Sequence, residues 1–248
     1  MSFRGKRVMI TGAGRGLGAA FAAVLAGEGA HVIMAARNPE NLNATAESIR
    51  LRTGVRPETL VLDLADVSQV TLTAKKMRDE GTPLDILINN GAQWLSGGLN
   101  DNDALAIAST ITSGVTGTLL FTRGLLPLLE KSGAGDILNI VSITGLPNAR
   151  LGNAAIAFSA AKHAQAGITD GLRQELRGNP VRVIGVYPPW LDDVSPFDDV
   201  AWHAGRDQGS RTTSRDVVEA SLFALSRPRH VTLASIVMDS DQGGIFAD

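Results

Sequence analysis

Short apolar runs alternate along this chain with longer stretches in which apolar residues return every three or four positions. Val8–Thr11 is apolar and ends in a glycine-rich turn. Leu17, Phe21, Val24 and Leu25 then recur at helical spacing up to Gly27 and Gly29. His31–Ala35 reads as a second strand, and Pro39 to about Arg52 as a helix ended near Gly54. Thr59–Leu62 is a third strand, Val67–Glu80 a helix and Asp85–Asn89 a fourth strand. Asp101–Glu130 reads as one long helix with Pro127 near its end, and Asp136–Ser142 as a fifth strand. The helix over Ala154–Arg177 is stopped by Gly178 and Pro180, and Val181–Tyr187 is a sixth strand. Residues 188–212 form a polar loop, Ser214–Ser226 a helix capped by Thr213 or Ser214, and Val231–Met238 the last strand. This alternation predicts an α/β fold: a doubly wound parallel sheet of about seven strands with helices on both faces.

The 248 residues suffice for one α/β domain and are too few for two typical enzyme domains. With no linker, repeat or low-complexity stretch, residues 1–248 read as a single domain. Net charge is −2 with the signs mixed, so neither nucleic acid nor a membrane surface is expected as partner. The absence of cysteine excludes disulfides, thiolate nucleophiles and cysteine-based zinc sites, and no metal is expected. No uninterrupted apolar run approaches the ~18 residues that span a bilayer. Met1–Arg7 runs straight into a strand without a signal-peptide apolar core, which makes a cytoplasmic protein the expectation.

The turn after the first strand is Thr11-Gly12-Ala13-Gly14-Arg15-Gly16-Leu17-Gly18. Glycines at the junction of a strand and a helix let backbone approach a pyrophosphate, and the helix N-terminus offers free N–H groups to it. That context makes a dinucleotide-binding, Rossmann-type domain the expectation. The end of the second strand selects the cofactor. Binding of NAD calls for a carboxylate there, but this chain has Ala35-Ala36-Arg37. Arg15 and Arg37 suit the 2′-phosphate of NADP(H), because a guanidinium matches phosphate geometry.

At this point the chain resembles the short-chain dehydrogenase/reductase family over nearly its whole length. The resemblance rests on Thr11, Gly12, Gly16 and Gly18, on Asp63-Leu64 beside the adenine, and on Asn89-Asn90-Gly91-Ala92 after the fourth strand. It rests also on Ser142 three before Gly145, on Lys162, and on Pro188-Pro189 after the sixth strand. Together the two readings give a cofactor set of Gly12, Arg15, Gly16, Leu17, Gly18, Arg37, Asp63, Leu64, Asn90, Gly91, Lys162 and Pro188. The resemblance implies an NADP(H)-dependent oxidoreductase acting on a small-molecule substrate. It implies a homodimer or homotetramer built on the Asp101–Glu130 and Ala154–Arg177 helices. Ser142 and Lys162 would be catalytic, with Phe158 at the position of the family's tyrosine acid.

A phenyl ring cannot donate a proton. Losing a general acid costs on the order of 10²–10⁴ in rate, or about 3–5 kcal/mol. Gly114 falls where the family places an asparagine that holds a water in a proton relay. Four explanations fit Phe158. One is an introduced Tyr→Phe change that traps substrate, which leaves Gly114 unexplained. A second is a substrate such as an iminium carbon that needs no proton. A third is a proton taken from Tyr187, His203 or Asp192-Asp193, although packing and solvated roles are the simpler readings of these. The fourth is binding of NADP(H) without redox turnover, as a sensor, scaffold or non-redox catalyst. Trp94, Leu95, Pro147, Ile156, Trp190, Phe197 and Trp202 fall in segments expected around the nicotinamide end. They point either to an apolar or aromatic substrate or to the packing of a lid over 188–212.

Overall fold

A computed structural model describes residues 3–149, 152–242 and 244–245. One seven-stranded sheet runs through it in the order β3-β2-β1-β4-β5-β6-β7. The strands are β1 (Arg7–Thr11), β2 (His31–Ala36), β3 (Glu58–Val61), β4 (Ile86–Asn89), β5 (Asp136–Ile140), β6 (Arg182–Tyr187) and β7 (Ser235–Val237). Every pairing is parallel. Val8 of β1 stands opposite both Val32 and Ile86, so the chain reverses its direction of winding beside β1. In such sheets a crevice opens at the C-terminal edge at this reversal.

Helices cover both faces. On one side α1 (Gly16–Gly27), α2 (Pro39–Thr53) and α8 (Ser214–Leu225) bury Phe21, Leu25, Leu42, Ile49, Val217 and Val218. On the other, α3 (Val67–Asp79), α5 (Thr118–Lys131) and α6 (Ile156–Glu175) cover a layer with Val70, Met77, Phe121, Leu125 and Leu176. Local chemistry sets the helix starts. Asn38 and Asp66 accept from Asn41 and Gln69 backbone N–H groups at 2.7 and 2.9 Å. Thr213, not Ser214, caps α8, in a reciprocal capping box with Asp216.

The segment expected as one helix over 101–130 is divided. A short 3₁₀ turn precedes α4 (Ala104–Ile111), and a wide π-helical turn, Thr112–Gly117, joins it to α5. A backbone with i→i+5 bonding has the same apolar spacing on either side, so the periodicity did not reveal it. The run Ala104–Lys131 has a mean hydropathy of 1.5 over its most apolar stretch, long and apolar enough to cross a membrane by length and composition. Here it lies in a helical layer, with Phe121, Leu125 and Leu129 in the core and Leu105 and Leu119 exposed. The last strand is shorter than the apolar pattern, because β7 pairs only with Gly185–Tyr187 of β6. A short helix, α7 (Asp199–His203), interrupts the 188–212 loop.

At the N-terminal edge of the sheet, a buried carboxylate holds the chain after α8 in place. Asp136 Oδ1 accepts from Arg182 Nε at 2.7 Å and from Arg229 Nη1 at 2.8 Å. Arg182 also donates to the carbonyls of Leu225, Arg227 and Val231. Asp136→Ala leaves a guanidinium buried without its counter-ion, so it is expected to lower unfolding free energy by about 3–5 kcal/mol in urea titration. A loss under about 1 kcal/mol would show that this cluster does not anchor the sheet.

Candidate active site

The crevice floor is made by two backbone turns in contact. Gly12 has φ +67°, and a Cβ there would lie 2.8 Å from the Gly91 Cα. The Thr11 hydroxyl accepts from the backbone N–H of Asn90 at 3.1 Å and of Gly91 at 2.9 Å. Asn90 Nδ2 in turn donates to the Thr11 and Gly12 carbonyls at 3.1 and 3.3 Å. The turns after β1 and β4 are thereby locked together. Gly18 has no room for a side chain, since a Cβ would stand 2.2 Å from the Gly12 oxygen. Leu17 packs behind the turn against the core. The α1 N-terminus has neither a side-chain cap nor an acid in its first turn, which leaves its N–H groups open to an anion.

A cavity of about 320 Å³ runs from this turn across the ends of β2 and β3. Arg15 and Arg37, both exposed, and Asp63, Leu64 and Gly91 line it. Arg37 Nη1 donates to Gln93 Oε1 at 3.3 Å, and Asp63 Oδ1 accepts from the Ala65 N–H at 2.9 Å. The donor set fits a phosphorylated adenosine: two guanidiniums, a helix N-terminus and no carboxylate at Ala36. One feature opposes it. Asp193 brings a carboxylate oxygen to 3.2 Å from where a Cβ on Gly16 would sit, at the same helix start.

Ser142, just past the C-terminal end of β5, and Phe158 and Lys162 on α6 form a second group at the same edge of the sheet. Ser142 has φ +129°, a conformation that non-glycine residues rarely adopt. Its Oγ accepts from the Thr144 N–H at 3.2 Å and lies 3.1 Å from the Thr144 hydroxyl. The next residue, Ile143, donates its N–H to the Pro188 carbonyl at 3.0 Å, which ties this turn to the end of β6. Lys162 is buried on α6, and its Nζ donates to the Ile140 carbonyl at 3.0 Å and to Gln165 Oε1 at 2.9 Å. Gln165 Nε2 donates onward to the Gly114 carbonyl at 2.8 Å. Burial pushes the Lys162 amine down to about 7. Phe158, one helical turn before Lys162, is buried with its ring centroid 5.5 Å from Nζ.

Two of the expected aromatic residues join Phe158. Trp94 meets its ring edge-to-face at 4.7 Å between centroids, and Trp190 meets Trp94 at 5.3 Å. Both indoles are 46% exposed, so they leave surface for a ligand. Trp202 and Phe197 pack instead on the α8 side of the core. The groups considered as substitute acids are engaged elsewhere. Tyr187 lies beside Arg173 and Ser235, and burial followed by the Asp170 carboxylate raises its phenol above its ordinary value. His203 Nδ1 faces the Asp199 carbonyl within α7 at 2.9 Å, and Asp192 pairs with Arg206 at 3.1 Å. Thr144 and Gln165 were absent from the set read from the sequence. Gln165 stands three positions after Lys162 on the same helix face, a spacing that could have flagged it.

With this geometry in hand, the comparisons with known proteins fall into place. The short chain dehydrogenase family matches residues 6–198, and the chain belongs to this family. An uncharacterized oxidoreductase of Staphylococcus saprophyticus is 30% identical over 234 residues, covering 94% of this chain and 96% of the relative. One from Staphylococcus aureus is 30% identical over 233 residues, with the same coverage. A metagenomic short-chain oxidoreductase crystallised with NADP is 25% identical, with a TM-score of 0.77 over 96% of this chain and 98% of its own. L-Sorbose reductase from Gluconobacter frateurii, crystallised with NADPH and L-sorbose, is 21% identical, with a TM-score of 0.81 over 100% and 99%. At that identity the likeness shows the fold. The protein is thus an oxidoreductase of the short-chain family.

The buried lysine makes a pH prediction. Unfolded, the Lys162 amine takes a proton below about 10.4; folded, it does so only below about 7. Between these values the unfolded chain binds the extra proton, so Lys162 lowers stability as pH falls, and the loss is complete near pH 7. The stability of Lys162→Met minus that of the native protein is therefore expected to shrink from pH 7 to pH 10, by up to about 1.4 kcal/mol per unit. Urea midpoints across that range check it, and a difference independent of pH would contradict it.

Proposed function

We propose that the chain is an NADP(H)-dependent reductase of small or medium apolar substrates, with Phe158 standing where the family's tyrosine acid stands. It works as one dinucleotide-binding unit over residues 1–248, with 188–212 as a lid over the nicotinamide end. The observation that supports this reading is the cavity that Arg15 and Arg37 line near Ala36, together with Ser142 and Lys162 held by hydrogen bonds at the C-terminal edge of the same sheet.

The bound cofactor, reduced, supplies a hydride. Each residue's part follows from its own contacts. Gly12, Gly18 and Gly91 leave space at the turn, and the α1 N-terminus with Arg15 and Arg37 would hold phosphate. Asp63 and Leu64 would border the adenine, and Asn90 ties the turn after β4 to the turn after β1. Lys162 has two N–H bonds committed to fixed acceptors, and a third would be offered to the ribose hydroxyls. Ser142 Oγ accepts from the Thr144 N–H, so its own proton is available to a substrate oxygen. Phe158 gives the pocket an apolar wall and no proton.

A carbonyl oxygen that becomes an alkoxide must therefore take its proton from water or through Ser142, at the cost in rate that a missing acid brings. An iminium carbon accepts hydride and becomes a neutral amine without any proton. The two half-exposed indoles beside Phe158 favour this second acceptor, because aromatic faces attract cations.

Calorimetric titration is expected to give tighter binding of NADP(H) than of NAD(H), with about ten-fold or more of the difference lost in Arg37→Ala. Amide exchange across 188–212 should slow when the cofactor binds. Equal affinities for the two cofactors remove the NADP(H) assignment, and unchanged exchange removes the lid.

Phe158→Tyr is expected to raise ketone reduction ten-fold or more, since the new hydroxyl stands beside Ser142 and Lys162. Reduction of a preformed cyclic iminium should be present in the native protein and change less than two-fold. If neither acceptor is reduced by either protein while NADP(H) still binds, the chain binds the nucleotide without redox turnover.

A further inference from the structure

Gln165 was not among the residues the family resemblance brings forward, yet its side chain is tied directly to Lys162. It is buried, and both ends of its amide are used. Its oxygen accepts from Lys162 Nζ, and its nitrogen donates to a backbone carbonyl on a different helical run.

That carbonyl belongs to the wide turn Thr112–Gly117, where helical bonding changes to i→i+5. Two successive carbonyls there accept from side chains: Ser113 from the Thr118 hydroxyl at 3.0 Å, and Gly114 from Gln165. Gly114 also has no Cβ; one would stand 3.1 Å from the Ala161 Cβ. The close approach of this turn to α6 lets a glutamine span the gap.

Lys162 and Gln165 are three residues apart, and side chains at that spacing share a helix face. The Lys162 amine is fixed from two directions, by β5 through Ile140 and by the wide turn through Gln165. From α6 itself it faces the Phe158 ring and Gln165, from β5 a carbonyl, and none of these groups carries charge. An amide has no ionisable proton, so this bridge fixes the lysine without offering it a route for protons.

We propose that Gln165 is a positioning residue that sets Lys162 for its contact with the bound cofactor, by bridging its amine to the Gly114 carbonyl of the wide turn. The proposal rests on the reading that Lys162 faces the cofactor ribose, so one arm of the test does without cofactor.

The variants are Gln165→Met, which keeps length without the amide, and Gln165→Glu, which keeps an acceptor oxygen for Lys162. In cofactor-free protein, ¹³C-labelled lysine reports the Lys162 side chain by NMR. Its resonance is expected to move and its titration to change in Gln165→Met, and the titration to rise by at least one pH unit in Gln165→Glu. An unchanged Lys162 resonance and titration in both variants overturn the proposal. With cofactor, Gln165→Met should weaken NADP(H) and NAD(H) alike by five-fold or more, and Gln165→Glu should recover most of the loss. A fall in NADP(H) affinity alone overturns the proposal, because Lys162 sits at the end away from the 2′-phosphate. If Lys162 moves in the spectrum while both affinities stay as they were, the bridge exists but the ribose contact does not, and the cofactor role given to Gln165 falls with it. Should Gln165→Met fail to fold, Gln165→Glu carries both arms.

Discussion

The active-site crevice depends on backbone touching backbone. Gly12 approaches Gly91 more closely than any side chain would permit, and a Cβ on Gly117 would stand 1.9 Å from the Leu64 carbonyl oxygen. The first contact joins the turns after β1 and β4. The second seats the start of α5 on the segment after β3. With these contacts in place, the Thr11 hydroxyl and the Asn90 amide can reach across and close the remaining donors. One side of the cavity is then main chain, and Arg15, Arg37 and Asp63 line the rest with their neighbours.

The two edges of the sheet treat buried charge in opposite ways. At the N-terminal edge Asp136 meets two guanidiniums, so full charges compensate one another. At the C-terminal edge Lys162 meets only neutral oxygens, and burial lowers its affinity for a proton. The strands between carry a neutral polar chain: Asn89 donates to Thr122 and Asn139, and Asn139 to Thr169, at 2.8–2.9 Å. Ser142 adds backbone strain, of the order of 1–3 kcal/mol for a non-glycine residue at such a φ. Backbone strain at Ser142 and the buried amine of Lys162 thus lie together at the C-terminal edge.

Much of this was legible in the chain. The strands from Val8 to Tyr187 follow local periodicity, as do the helices between them apart from the divided run over 101–130, and the structure places these within a few residues of the expected bounds. Ser142 and Lys162 come near each other because the turn Ile143–Gly145 after β5 packs closely on α6, where a Cβ on Gly145 would stand 2.6 Å from the Lys162 carbonyl oxygen. What could not be read depends on contacts between distant segments. Trp94, Trp190 and Trp202 look alike in sequence, yet Trp94 meets Phe158, Trp190 stacks edge-on against Trp94, and Trp202 packs near α8. The wide turn at Thr112–Gly117 keeps the same three-to-four spacing on either side and shifts only its phase, which a reading by spacing passes over. Gln165 was visible at its spacing from Lys162, but its partner was a carbonyl that only that turn exposes.

The wide turn has one more consequence, for how a single helical rod can serve two neighbours. An α-helix advances about 100° per residue, so one additional residue in a turn rotates everything beyond it by about that angle. The stretch before the turn, α4, packs on α6, while the stretch after it, α5, packs on α3 and the sheet. A uniform helix would aim one continuous stripe in one direction and would have to choose between them. The phase slip gives the rod two stripes. Shortening this segment by a single residue would realign them, and one of the two neighbours would then face polar positions.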